Sequence, residues 1–288
     1  MPSVQTSVAS AALAGVLALA SASGSMLLAG GVALVLLIFT LGAVRSAPVT
    51  SVRPMAWLAL AAGLVALVWT QLADTPDLTP MVAVLGPVLV AAVVVELLRR
   101  DGRAHLTVSL SVAVSACVLA VLPVAWVALR AAPEGASSVG LAMLGVGLVS
   151  LAEALPLSRA TCRVLGVVIT SVAAAALVIL VDGFGQEVPA VSAVVVAAFA
   201  GLMAAVSMAV VDRMEAELPP VAAQAVPVPG DSDADRLGDG RRVGVEAATT
   251  AADATRSDGA AALMPLRITL PFIAAAPAMY VLGRILVG

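Results

Sequence analysis

Long apolar runs alternate with short charged segments over almost the whole chain. A membrane-spanning helix needs about 20 predominantly apolar residues. Runs of that kind fall at about 4–22, 26–44, 54–72, 80–98, 106–129, 138–156, 164–181, 189–211 and 266–287. The pattern predicts an all-α, polytopic integral membrane protein with about nine transmembrane helices. Residues 1–211 form a membrane domain of eight helices, 212–264 a flexible acidic loop, and 265–288 a final transmembrane helix. The first run is the weakest, since it contains Gln5, Thr6 and Ser7. Ser21, Ala22, Ser23 and Gly24 after it have the small side chains of a signal-peptidase site. A signal peptide wants a positive leading segment, however, and no Lys or Arg precedes Arg45, so a retained helical hairpin is expected.

The segments between the runs set the expected orientation. Arg45 and Arg53, then Arg99, Arg100 and Arg103, then Arg159 and Arg163, and finally Arg213, Arg236, Arg241, Arg242, Arg256 and Arg267 fall in alternate segments. They account for thirteen of the fifteen basic residues other than His105, all of them arginine. The other segments hold Asp74 and Asp77, Arg130 and Glu134, and Asp182 and Glu187. An odd helix count and this asymmetry support each other, and the positive-inside rule places the N-terminus in the cytoplasm and the C-terminus outside the cell membrane.

Composition removes whole classes of function. With 61% hydrophobic and 11% charged residues and a mean hydropathy of +1.10, the chain cannot clothe a water-facing surface. A net charge of −3 argues against nucleic acid as a partner. The partners expected are membrane lipids and other membrane proteins. Cys117 and Cys162, the second in a short basic loop, form neither a disulfide framework nor, with one His, a tetrahedral zinc site. From Asp212 to Ala262 ten acidic residues face five arginines, and Pro219, Pro220, Pro227 and Pro229 interrupt the chain. That stretch cannot bury enough apolar surface to order itself. Asp231, Asp233 and Asp235 imitate the start of a calcium loop, but Arg236 and Arg242 stand where its Gly and Glu belong.

Ionisable groups inside an apolar run are functional candidates by default. Glu96 lies about a turn before Arg99 and Arg100, an end-of-helix ion pair. Glu153, a turn inside the cytoplasmic end of the sixth run, pairs with Arg159 or lines a cavity. His105 sits at the interface before the fifth run. Gly140, Gly145, Gly147 and Ala173 to Ala176 are suited to close helix contact. Pro87 and Pro123 are candidate kinks. Trp69 and Trp126 fall near outer helix ends and Trp57 near an inner one, as interfacial aromatics do. No Walker loop, Gly-x-Ser-x-Gly elbow or His-Glu-x-x-His helix occurs.

One pattern stands out at the eighth run. Val210-Val211-Asp212-Arg213-Met214-Glu215 puts two carboxylates three residues apart where the helix leaves the membrane. After the long loop come Leu266-Arg267-Ile268-Thr269 and a last helix with Ala276-Pro277. This layout resembles the phosphatidate cytidylyltransferases, the integral-membrane enzymes that make CDP-diacylglycerol. In that family the corresponding helix ends in Gly-Asp-x-x-Glu-Ser, and the returning chain carries Asp-Arg-x-Asp-Ser before an Ala-Pro step. The opening hairpin, the basic loop Arg99-Arg100-Asp101-Gly102-Arg103 and the turn Ala132-Pro133-Glu134-Gly135 follow the family layout as well.

Asp212, Glu215 and Arg267 match residue by residue. Val211 replaces the Gly, and both aspartates of the second motif are missing. Leu151 to Arg159 stand in place of a Lys-rich signature. The resemblance implies metal ligation at Asp212 and Glu215, vestigial here, and ligand contact at Arg267; Glu153 joins them as a ligand-binding candidate because it is an ionisable group inside an apolar run. Magnesium is the only cofactor the resemblance suggests, and only if the carboxylate pair is functional. Cytidylyl transfer depends on metal ions and positive charge around a triphosphate. With those groups depleted, no catalytic residue is assigned, and the chain is expected to be a membrane-embedded scaffold or lipid-binding protein resembling an inactive member of the family. The other classes left open are a small permease or channel-like protein and a structural subunit of an envelope complex.

Overall fold

The computed structural model describes residues 4–46, 53–73, 76–98, 106–180, 189–217 and 264–286. The loop predicted at 212–264 therefore lies outside the described residues from 218 to 263, including the Asp231, Asp233 and Asp235 triplet. Arg99 to Arg103 and His105 lie outside them as well.

Every described element is helical. In chain order they are α1 (Val4–Ser23), α2 (Ser25–Ser46), α3 (Arg53–Ala73), α4 (Thr79–Leu98), α5 (Leu106–Val121), a 3-10 turn (Leu122–Val124), α6 (Ala125–Arg130), α7 (Gly135–Ala152), α8 (Arg159–Leu180), α9 (Ala190–Glu217) and α10 (Met264–Leu286). Nine spans among the described residues are long and apolar enough to cross a membrane, with α5, the turn and α6 together supplying one of them. The protein is an all-α, multi-pass membrane protein.

Small residues decide how the helices meet. Lipid tails are as apolar as Leu, so helices in a bilayer associate by close packing rather than by hydrophobic expulsion. A Cβ at Gly145 of α7 would lie 2.3 Å from the Ala197 carbonyl oxygen of α9, so only glycine lets those backbones touch. On a second face, Gly147 approaches Ala14 of α1. On a third, Val149 and Ala152 receive Gly166 of α8. Helix α7 is thus the axis of one group, with α1, α8 and α9 around it. Helix α3 plays the same part among α2, α4 and α5, and Gly63 meets both Ala120 and Leu36.

Helix α1, the weakest span by sequence, belongs to the core. Thr6, Ser7, Ser10, Leu13, Ala14, Leu17 and Ser21 are buried at three- and four-residue spacing, so one polar-to-apolar stripe faces α7. The α7 entry is a tight turn. Glu134 has φ 55°, and a Cβ at Gly135 would sit 2.1 Å from the Leu129 carbonyl oxygen.

Helix α10 joins the two groups. Its Pro265 packs against Gly42 of α2, and Leu129 of α6 packs against its Gly283. Trp126 Nε1 donates to the Phe272 carbonyl at 3.0 Å. Trp126 is therefore buried, at 1% exposure, and is not the interfacial anchor its position suggested; Trp57 and Trp69 are half exposed. Pro87 is accommodated within a continuous α4, while Pro123 coincides with the 3-10 break.

Candidate functional site

Six charged side chains from four helices converge where α1 and α10 begin and α7 and α9 end. Each is positioned by a local cause. Ser158 caps α8: its Oγ accepts from the Thr161 backbone N–H at 3.2 Å, and its carbonyl accepts from the Cys162 N–H. This N-cap starts the helix at Arg159. It puts Arg159 and Arg163 four residues apart on one face. Cys162 is thus a buried helical residue rather than part of a basic loop. Helix α9 continues past Val211 to Glu217, so Asp212 and Glu215 lie on a helix face, and at 28 residues α9 exceeds the length needed to span a bilayer. Glu153 caps the C-terminus of α7. Arg267 sits in the first turn of α10.

Asp212 is the hub. Arg159 Nη1 lies 2.8 Å from Asp212 Oδ1, Arg267 Nη2 donates to the same oxygen at 2.5 Å, and Arg163 Nη2 donates to Oδ2. Arg163 Nε donates to Glu153 Oε1 at 2.9 Å, and Arg267 Nη2 also reaches Glu215 Oε2 at 2.7 Å. Three guanidiniums meet three carboxylates, so these six side chains sum to zero formal charge. Side-chain exposure is 11% at Glu153, 14% at Arg267 and 17% at Arg163 and Asp212, against 46% at Arg159. The structure thus brings Glu153, Asp212, Glu215 and Arg267 together, with Arg163 as the link that joins Glu153 to Asp212.

All six charges stand near the wrong end of their own helix. Acids lie near the C-termini of α7 and α9, and arginines near the N-termini of α8 and α10, where the helix dipole opposes them. Across the antiparallel contacts the same acids face the N-termini of α8 and α10. The cluster is stabilised between helices, not within them. Its formation therefore requires all four helix ends to be in place.

Beside the cluster lies a small cavity of about 20 Å³. Thr6, Ser7 and Ser10 of α1, Ser150 of α7 and the charged Glu153, Asp212 and Arg267 line it, together with the apolar Met208, Val211 and Pro271. Ser10 Oγ donates to Ser150 Oγ at 3.1 Å, and Ser150 Oγ donates to the Val146 carbonyl at 2.8 Å. Past that bond Leu13, Ala14 and Val146 are buried, and at the other end of the contact Ser21 Oγ of α1 donates to the Ala136 carbonyl of α7 at 3.3 Å.

The donor set has clear chemical consequences. Both Asp212 oxygens and one of Glu215 accept from guanidiniums, and three fixed positive charges would oppose a divalent cation. Among the described residues no group of three or more His, Cys, Asp or Glu side chains is placed to hold a metal ion. Small-molecule pockets usually enclose about 300–1,000 Å³, an order of magnitude above this cavity. Glu96 is buried in α4, and its expected partners Arg99 and Arg100 lie outside the described residues. No protein-family model, curated protein or solved structure matches the chain.

Proposed function

We propose that the chain is a membrane-embedded scaffold or lipid-binding protein that resembles an inactive phosphatidate cytidylyltransferase. The observation that carries this reading is the saturation of Asp212 by Arg159, Arg163 and Arg267. Asp212 and Glu215 are the residues that match the family's acidic motif, and in this chain they serve as guanidinium acceptors. A magnesium ion at this place would have to displace at least one arginine and withstand the others, so the residues present do not fit one. What the arrangement does support is helix association. The charge cluster ties α7, α8, α9 and α10 together at one bilayer boundary, and half-exposed Arg159 is available to lipid phosphate there.

The direct test pairs activity with lipid retention. Purified protein with magnesium, CTP and phosphatidate is expected to form no CDP-diacylglycerol above background, and to retain anionic phospholipid through detergent purification. Turnover that disappears in Asp212→Asn would overturn the inactive reading. Loss of all phospholipid under mild extraction would leave scaffolding alone.

The permease alternative draws on the 3-10 break at Leu122–Val124 inside the fifth span, because transporters build substrate sites at interrupted helices. The flanking side chains Val121, Val124, Ala125 and Trp126 are buried and apolar apart from the Trp126 N–H. Flux of small polar solutes into liposomes containing the protein would support that alternative.

A further inference from the structure

We infer that the cavity beside the charge cluster is a binding site for a single neutral, water-sized hydrogen-bonding ligand, namely water, held by the Arg267 Nε–H. The inference does not rest on the lipid-binding reading. Three observations carry it. First, Arg267 Nε is buried and has no acceptor among the described residues, although Arg267 lines the cavity. A buried donor without a partner is costly enough that native structures nearly always satisfy it. Second, about 20 Å³ of cavity exceeds the 10–15 Å³ or so that one water requires. Third, the lining supplies complementary groups from different helices: the Ser7 hydroxyl from α1 and the carboxylates of Glu153 and Asp212 from the ends of α7 and α9. Pro271, also at the cavity, has no N–H to give the Arg267 carbonyl, so that oxygen forgoes its usual helical bond as well.

Charge selects water over an ion. The six side chains of the cluster already balance, so a halide or an alkali cation would add an uncompensated charge to a partly dehydrated place. A neutral ligand that both donates and accepts is the one the lining can satisfy completely. Ser10 and Ser150, bonded to each other, also line the pocket, and buried Leu13, Ala14 and Leu17 follow along α1.

The test uses the full chain in lipid nanodiscs with ¹⁵N-labelled arginine, Arg267→Lys identifying the Arg267 Nε–H resonance. That resonance is expected to show a cross-relaxation peak to a long-lived water and to be insensitive to replacing chloride with bromide. Ser7→Val fills the cavity with methyl groups and displaces the water. It is expected to lower the melting temperature by about 3–6 °C, as an orphaned buried donor would. Ser7→Thr adds one methyl but keeps the hydroxyl, and is expected to melt closer to the wild type than Ser7→Val does. Absence of the water peak in the wild type would overturn the proposal, and so would a rise in melting temperature for Ser7→Val, the response of a dry cavity being filled. A resonance that titrates with bromide would instead assign the site to an anion and overturn it equally.

Discussion

Asp212→Asn is the sharpest perturbation of the charge cluster, because it removes one charge with almost no change of shape. Asp212 accepts from three guanidiniums, of which those of Arg163 and Arg267 are largely shielded while Arg159 is 46% exposed. Hydrogen bonds to charged groups contribute about 1.5–3 kcal/mol each when shielded, and an exposed ion pair about 0–1 kcal/mol. Asparagine keeps one acceptor oxygen, so about half of this is retained, and the expected loss is about 2–4 kcal/mol. That is near the range of about 3–5 kcal/mol for removing one member of a buried pair. The variant also leaves three arginines facing two acids. Arg163→Gln in the same chain restores neutrality, so the double variant is expected to be less destabilised than the sum of the singles, by about 1–3 kcal/mol.

The protein carries its own reporter for this cycle. Cys162 is buried next to Arg163, and Cys117 is buried in the other helix group. A fluorogenic maleimide that reacts only on opening therefore reads the cluster end in a Cys117→Ala background and the distant group in Cys162→Ala. Denaturant titration in mixed micelles, followed by Cys162 labelling, supplies the free energies. A loss below about 0.5 kcal/mol, the range of ordinary surface substitutions, would refute the reasoning. Strictly additive singles would refute it too, since independent solvated charges do not couple.

Further substitutions probe the rest of the bundle. Gly145→Ala is expected to lose about 1–3 kcal/mol by overpacking against Ala197, whereas Gly30→Ala, with open space at its Cβ, should be neutral or gain up to about 1 kcal/mol from helix propensity; melting temperatures of the two decide. Brominated acyl chains should quench Trp57 and Trp69, which are half exposed, and spare Trp126, measured in single-tryptophan variants. Trp126→Phe should cost about 1–2 kcal/mol for the hydrogen bond lost to the Phe272 carbonyl, read by denaturant titration. In a background lacking native cysteines, a membrane-impermeant maleimide applied to intact cells should label Asp77→Cys and not Ser158→Cys; the reverse pattern would overturn the cytoplasmic N-terminus.

The nine spans were legible in the sequence because the bilayer imposes one long, one-dimensional signal: about 20 apolar residues wherever a helix crosses. Boundaries were less so, and for a specific reason. Arg159 and Arg163 interrupt the apolar run, so the seventh helix reads as starting near 164, whereas the Ser158 cap starts it at Arg159. Ser158-x-x-Thr161 was the available signal. A cap there places Arg163 on a helix face. Glu153, Asp212, Glu215 and Arg267 could each be singled out, since charge near an apolar run is rare. Their meeting could not be foreseen, because it joins helices separated by up to about a hundred residues through glycine contacts that leave no periodic trace. Gly140, Gly145 and Gly147 were visible as small residues; which neighbour each one meets was not. Trp126 shows the same limit, since an aromatic near a helix end reads as interfacial until the approach of α10 buries it. Element type and count follow from the solvent each residue prefers, a local property of the chain. Which helix ends share an ion-pair cluster follows from backbone approach and dipole opposition among several helices, and only the assembled bundle decides that.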